Sequence, residues 1–192
     1  MNIRIISGIF KNHKISAPNS RQTHPMSERI RNAIFNAVQA EIPQAEVLDA
    51  FAGTGALGLE ALSRGAKSVV FIEKNRLSQK ILAQNLEILE KSENAGEAKL
   101  IRASVAGWLN SSAAQFEIGE IKNLPTFDLI FADPPYFDPQ FPTLEKLSER
   151  VKSGGLMVVS QPKDLEDFSA ENLTQISAKV YSSAKILIFR KS

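Results

Sequence analysis

From residue 46 onward, short β-branched and apolar runs alternate with longer stretches whose apolar positions recur at helical spacing. That alternation predicts βαβ units and a parallel sheet. Strands are expected over E-V-L-D-A-F (46–51), S-V-V-F-I-E (68–73), A-K-L-I-R (98–102), F-D-L-I-F-A-D (127–133) and G-L-M-V-V-S (155–160). The clearest helix is N-R-L-S-Q-K-I-L-A-Q-N-L-E-I-L-E-K-S, where Leu77, Ile81, Leu82, Ile88 and Leu89 fall near one face and Asn75 can cap the start. Toward the C-terminus, N-L-T-Q-I-S-A-K-V-Y-S-S-A-K-I-L-I-F-R-K reads as two strands around a Ser-Ser turn. The expected fold is therefore α/β: a doubly wound, Rossmann-like mixed sheet with an antiparallel hairpin at its C-terminal edge.

The first 45 residues differ in character. R-I-I-S-G-I-F-K-N-H-K-I-S-A-P reads as a short hairpin, and N-S-R-Q-T-H-P as a loop. M-S-E-R-I-R-N-A-I-F-N-A-V-Q-A-E-I reads as a helix with Ile30, Ile34, Ala37 and Val38 turned inward. Pro43 and Gln44 make the joint, so the expected division is an extension over 1–45 and a main domain over 46–192.

Charge separates the two parts. Residues 1–31 hold six bases, Arg4, Lys11, Lys14, Arg21, Arg29 and Arg31, against the single acid Glu28, while the rest of the chain has 17 bases and 20 acids. A basic arm on a mildly acidic body draws a polyanion to one side of a protein, and those six residues are the candidate contacts to it. Arg29 and Arg31 lie about 200° apart on an ideal helix, so only one of them can face a given surface squarely.

With 192 residues, 43% of them hydrophobic, the chain can bury the core of one domain and a small appendage. No run approaches the roughly 18 apolar residues of a membrane helix, and no secretory leader is evident. A cytoplasmic protein without a membrane partner is expected. Cysteine is absent, which excludes disulfides and thiolate chemistry. His13 and His24 lack ligand spacing, so no metal site is expected.

Candidate chemistry begins at V-L-D-A-F-A-G-T-G-A-L-G. Gly53, Gly55 and Gly58 follow a strand end at G-x-G-x-x-G spacing and lead into a helix, which permits close backbone approach to a ligand. Glu73 stands twenty residues after Gly53, where an acid meets a ribose diol. The spacing alone suits a dinucleotide as well as S-adenosylmethionine. Asp49, just before the loop, is unhelpful to a pyrophosphate but suits a ligand with a cationic end, such as a sulfonium or an ammonium. A P-loop is excluded, since no Gly-Lys-Ser/Thr follows.

The second stretch is F-D-L-I-F-A-D-P-P-Y. Two prolines forbid ladder bonds and fix two φ angles, so the chain leaves the sheet stiffly at Asp133, Pro134, Pro135 and Tyr136. That exit faces the crevice of the glycine loop in a doubly wound sheet. A carboxylate, a stiffened carbonyl and an aromatic ring beside a methyl donor suit methylation of an exocyclic amine on a nucleobase. Asp133 and the Pro134 carbonyl can accept the two N–H groups, and Tyr136 can stack on the displaced base. Trp108 is expected in the core, with a place beside an adenine as the alternative.

D-A-F-A-G-T-G-A-L-G-L-E-A-L-S-R-G-A, F-D-L-I-F-A-D-P-P-Y, R-I-I-S-G and H-P-M-S-E-R-I-R-N-A-I-F-N together resemble the bacterial 16S ribosomal RNA (guanine-N2)-methyltransferases of the RsmD type, over nearly the whole chain. The resemblance implies a class I methyltransferase fold with an N-terminal hairpin-helix extension that faces RNA and covers the cofactor. It also implies S-adenosyl-L-methionine as donor, and as substrate a guanine of 16S rRNA in a partly assembled small ribosomal subunit; a monomer is expected. By the same resemblance, Asp49, Phe51, Gly53, Gly55, Glu73 and Ser104 bind the cofactor, and Asp133, Pro134, Pro135 and Tyr136 form the catalytic tetrapeptide. Ser104 stands where the family commonly has Asp or Asn, Ser160-Gln161 replaces a frequent acid, and His24 to Arg29 depart from the usual R-P-T-x-D-R. Two other readings are an adenine-N6 DNA methyltransferase, which shares the tetrapeptide, and a binding module of this fold without turnover.

Overall fold

The computed structural model describes residues 2–18, 26–111, 124–182 and 184–192. Arg21 and His24 lie outside the described residues. The chain forms β1 (Asn2–Arg4), β2 (Lys14–Ser16), α1 (Glu28–Ala37), β3 (Glu46–Asp49), α2 (Ala56–Ser63), β4 (Ser68–Ile72) and α3 (Arg76–Leu86). It continues through β5 (Glu97–Ile101), α4 (Val105–Asn110), β6 (Phe127–Ala132), α5 (Phe141–Ser148), β7 (Val151–Pro162), β8 (Leu173–Val180) and β9 (Ala184–Lys191).

Seven strands make one sheet in the order β5-β4-β3-β6-β7-β9-β8. The five strands from β5 to β7 are parallel, and β9 and β8 run antiparallel. The five expected parallel strands and the terminal hairpin are all present. The hairpin lies at the sheet edge as expected, with β9 against β7 and β8 outermost. β8 shows what an edge position does to a strand: it is broken by a bulge between Gln175 and Ser177, and Ile176 and Val180 stay exposed.

β6 explains how the site is held. Leu129 and Phe131 belong to one buried cluster, and Ile130 and Ala132 to the other, so both faces of the strand are covered. β3 lies between β4, reached through α2, and β6, to which the chain returns later. That reversal opens a crevice at the carboxyl ends of β3 and β6.

Ile5, Phe10, Ile34 and Phe35 of the first 45 residues share a cluster with Leu59, Leu62 and Phe131. The R-I-I-S-G segment is bolted to α2. The amides of Ile6 and Ser7 donate to the fully buried Glu60 carboxylate at 2.7 and 3.0 Å, and Arg64 Nε donates to it at 2.7 Å. Two amides and a guanidinium compensate a charge that burial alone would make costly. Phe10 N–H donates to Ser63 Oγ, and Ile9 N–H to the Ser63 carbonyl. Gly8, at φ +83°, lies so close that a Cβ would come within 1.7 Å of that carbonyl oxygen.

α1 corrects two expectations. Its buried face is Ile30, Arg31, Ile34 and Phe35, followed by Val38, whereas Ala37 is exposed. Arg31 is only 1% exposed; its Nη2 donates to the Arg4 carbonyl at 3.0 Å. Burial lowers its pKa, with the nearby carboxylates of Glu60 and Glu28 opposing. Arg31 shares the i, i+3, i+4 stripe of Ile34 and Phe35, so it leaves the set of surface cations expected to meet RNA.

Candidate active site

Past the end of β3, Ala50 N–H still bonds the Phe131 carbonyl and Ala52 N–H bonds the Ile72 carbonyl, so the loop starts astride both neighbouring strands. Gly53 has φ +53° and nothing within 4 Å of where a Cβ would stand, so it faces open space. Gly58 is different. A Cβ there would lie 2.2 Å from the Phe71 ring, so this glycine sets how closely α2 packs on β4. Gly55, at φ +80°, is the N-cap of α2.

Three carboxylates converge here. Asp49 is buried at the end of β3 and its Oδ2 accepts the Gly58 amide at 3.0 Å. Burial raises it to about 7; the Gly58 bond opposes, and the charges of Asp133 and Glu73 push it further up. Glu73 accepts Gly53 N–H at 2.7 Å on one oxygen and Asn75 N–H at 2.6 Å on the other. A carboxylate accepts about four bonds, so Glu73 holds the loop and still has lone pairs toward the crevice. Asp133, half-buried past the end of β6, is raised by burial to about 6, against a bond from Ser160.

Pro134 is buried and Pro135 half-buried. The Asp138 amide closes a turn onto the Pro135 carbonyl at 2.8 Å, which places Tyr136 at 40% exposure and Phe137 at its tip. The Tyr136 hydroxyl lies 3.0 Å from Ser160 Oγ. Ser104 is exposed as the N-cap of α4, its Oγ accepting the Gly107 amide at 3.0 Å. Phe51 is half-buried against the cluster that contains Trp108, and Trp108 is fully buried. The core reading of Trp108 therefore holds.

The basic arm is heterogeneous. Lys11, Lys14 and Arg29 are exposed, while Arg4 pairs with Glu28 at 2.8 Å on the surface. Burial takes Arg31 away, as described.

Two contributors had weak signals in sequence. Asn85 reads as a polar position on an amphipathic helix, yet it is buried and bonds both backbone groups of Ser16 and the Thr54 carbonyl of the glycine loop, at 2.8 to 3.0 Å. Ser160 was visible only as a replaced acid.

The family described as Conserved hypothetical protein 95 matches residues 3–190. The ribosomal RNA small subunit methyltransferase D of Haemophilus influenzae is 34% identical over 180 residues, 92% of this chain and 88% of that protein. A solved structure of a candidate methyltransferase from Escherichia coli superposes with a TM-score of 0.83 at 26% identity, covering 100% of this chain and 99% of that one. A candidate methylase from Haemophilus influenzae gives a TM-score of 0.78 at 29% identity, covering 100% and 99%. With a family match along nearly the whole sequence, a relative 34% identical over 92% of this chain and a superposition that covers all of it, the chain belongs to the ribosomal RNA small subunit methyltransferase D family.

Proposed function

We propose that the chain transfers a methyl group from S-adenosyl-L-methionine to the exocyclic N2 amine of a guanine in 16S ribosomal RNA, within a partly assembled small subunit. The observation that carries this reading is the meeting of Asp133, on the stiff exit of β6, with the open cradle at Gly53 between Asp49 and Glu73. S-adenosylmethionine, when bound, supplies a methyl group on a cationic sulfur together with a cationic ammonium. The cradle fits such a ligand on two counts: Gly53 leaves room where any side chain would intrude, and the raised Asp49 marks an acid waiting for a positive charge.

The substrate amine is a poor nucleophile because its lone pair is delocalised into the ring. Asp133 and the Pro134 carbonyl accept its two N–H groups, draw the nitrogen toward tetrahedral geometry and leave the lone pair free. Tyr136 holds the base by its face. Once the nitrogen has gained its methyl and a positive charge, Asp133, ionised above about 6, is placed to take the surplus proton. Rate comes from positioning and from polar groups aimed in advance. Lys11, Lys14 and Arg29 are the exposed arm cations that would grip phosphates.

The test offers partly assembled subunits, naked 16S RNA and DNA with methyl-labelled donor, followed by mass analysis of nucleosides. N2-methylguanosine from the particles is expected, and Asp133→Ala should lower turnover by roughly 100-fold or more with donor affinity within a few-fold. Methylation confined to adenine in DNA, or normal turnover by Asp133→Ala, overturns the reading.

A further inference from the structure

We infer that Ser160 is a positioning residue for methyl transfer, its hydroxyl joining Tyr136 to Asp133 so that the aromatic face and the carboxylate are set together. The inference rests on the proposed methyl-transfer site and adds to it a residue from a strand that donates nothing else to the site described so far.

Register brings the residues together. Ala132 on β6 pairs with Val159 on β7, so the next positions along the two parallel strands are Asp133 and Ser160. Ser160 is 2% exposed, and its Oγ lies 3.0 Å from the Tyr136 hydroxyl, 24 residues away in sequence. The same hydroxyl stands beside Asp133 at the adjacent strand ends, where hydrogen bonding from it favours the ionised carboxylate against burial. Ser160 is pinned on its other side, because β7 continues into an antiparallel pairing with β9 that sets Ser160 opposite Ile186.

Proton counting gives the chain a direction. An ionised carboxylate only accepts, a serine hydroxyl has one proton to give, and a tyrosine hydroxyl can do either. With Asp133 ionised, the Ser160 proton must point at Asp133, so Tyr136 donates to Ser160 Oγ. The phenol is then held by its oxygen while its ring face stays available for a base. The carboxylate keeps its remaining lone pairs for the amine. Other titratable groups lie near the same acid: its charge acts on Asp49, at the end of β3, and on Tyr136, on its own exit, and Glu73, just past β4, acts on Asp49. Burial opposes ionisation of Asp133, and Ser160 favours it.

The role predicts separable effects. Ser160→Ala removes both bonds, so kcat/KM should fall roughly 10- to 100-fold, as for loss of a hydrogen bond to a charged acceptor. Its acid limb should move to higher pH, with affinity for S-adenosylmethionine within two-fold of wild type. Ser160→Thr keeps the hydroxyl and should restore both the rate and the limb. Tyr136→Phe frees the ring but leaves the Ser160 proton on Asp133, so it should slow the reaction without raising the limb.

A second measurement needs no substrate: carbon NMR titration of aspartate carboxyls in the free protein should show Asp133 shifted upward in Ser160→Ala and unshifted in Ser160→Thr. An unmoved Asp133 titration in Ser160→Ala overturns the inference even if the proposed reaction is confirmed. Loss of the reaction in every assay, with the NMR shift present, overturns only the assigned substrate chemistry. Equal loss in Ser160→Ala and Ser160→Thr, with no change in the limb, overturns the positioning role.

Discussion

Asp49 gives the most direct handle on the cofactor site. It carries a proton up to about 7 in the free protein because it is buried beside two other acids. A cationic ligand needs it ionised, so binding must expel that proton. If the complex holds Asp49 ionised throughout, the apparent dissociation constant scales with the reciprocal of the ionised fraction of the free protein. At pH 6 about nine in ten molecules are protonated, and at pH 7.5 about one in four, so affinity should weaken about 8-fold on going down between them. The range stops at 7.5 because the ligand's own α-amino group begins to lose its proton above it. Titration calorimetry in buffers of different ionisation enthalpy should also find about half a proton released per binding event at pH 7. Asp49→Asn should abolish most of the release and leave only the shallow contribution of Asp133 near pH 6. Affinity constant within two-fold over this range, with no buffer dependence, would refute the assignment of Asp49 as the cation's partner. The free protein offers a check of opposite sign. Folded Asp49 binds a proton that the unfolded chain gives up near pH 4, so stability should fall as pH rises from about 4 to 7, and Asp49→Asn should flatten that fall.

Glu73→Ala removes the acceptor of the Gly53 and Asn75 amides together with its free lone pairs, and calorimetry should show donor affinity lowered by roughly 10- to 100-fold. Glu60→Gln leaves Arg64 without its ion pair and weakens the bonds to Ile6 and Ser7; thermal unfolding should register a loss of about 2–3 kcal/mol. With Lys11, Lys14 and Arg29 exposed, the logarithm of RNA affinity should fall with the logarithm of salt at a slope near −2 to −3, and Lys11→Ala with Lys14→Ala should reduce it by up to about two units. An unchanged slope in that double variant, measured by filter binding, would place the RNA grip elsewhere.

Legibility in the sequence followed the distance over which each feature is determined. The glycine loop, Asp49 and Glu73 were readable because strand end, turn and helix start sit within a few residues of one another and use residue types with few other uses. The prolines after Asp133 were readable for the same reason. Arg31 was not, because spacing along α1 says that one of Arg29 and Arg31 turns inward but not which; packing of Ile34 and Phe35 decides. Glu60, Asn85 and Ser160 take partners 24 to 69 residues away, so nothing in their neighbourhoods marks them. α4 and α5, only 6 and 8 residues long, were too short for periodicity to show.

The anchoring of Ile6 and Ser7 on Glu60 has a consequence for how the chain comes into being. Synthesis delivers residues 5–10 before their binding groups, the Glu60 carboxylate and Ser63, which follow some fifty residues later. Until then Ile5 and Phe10 have no surface to cover, and α2 when it emerges carries a carboxylate suited to burial only in their company. The earlier segment must therefore wait, and its docking joins residues 5–10 to α2, made some fifty residues after it. A version lacking those residues would not be a smaller enzyme. It would be a chain with an uncompensated acid and an open apolar face beside the helix that carries the glycine loop.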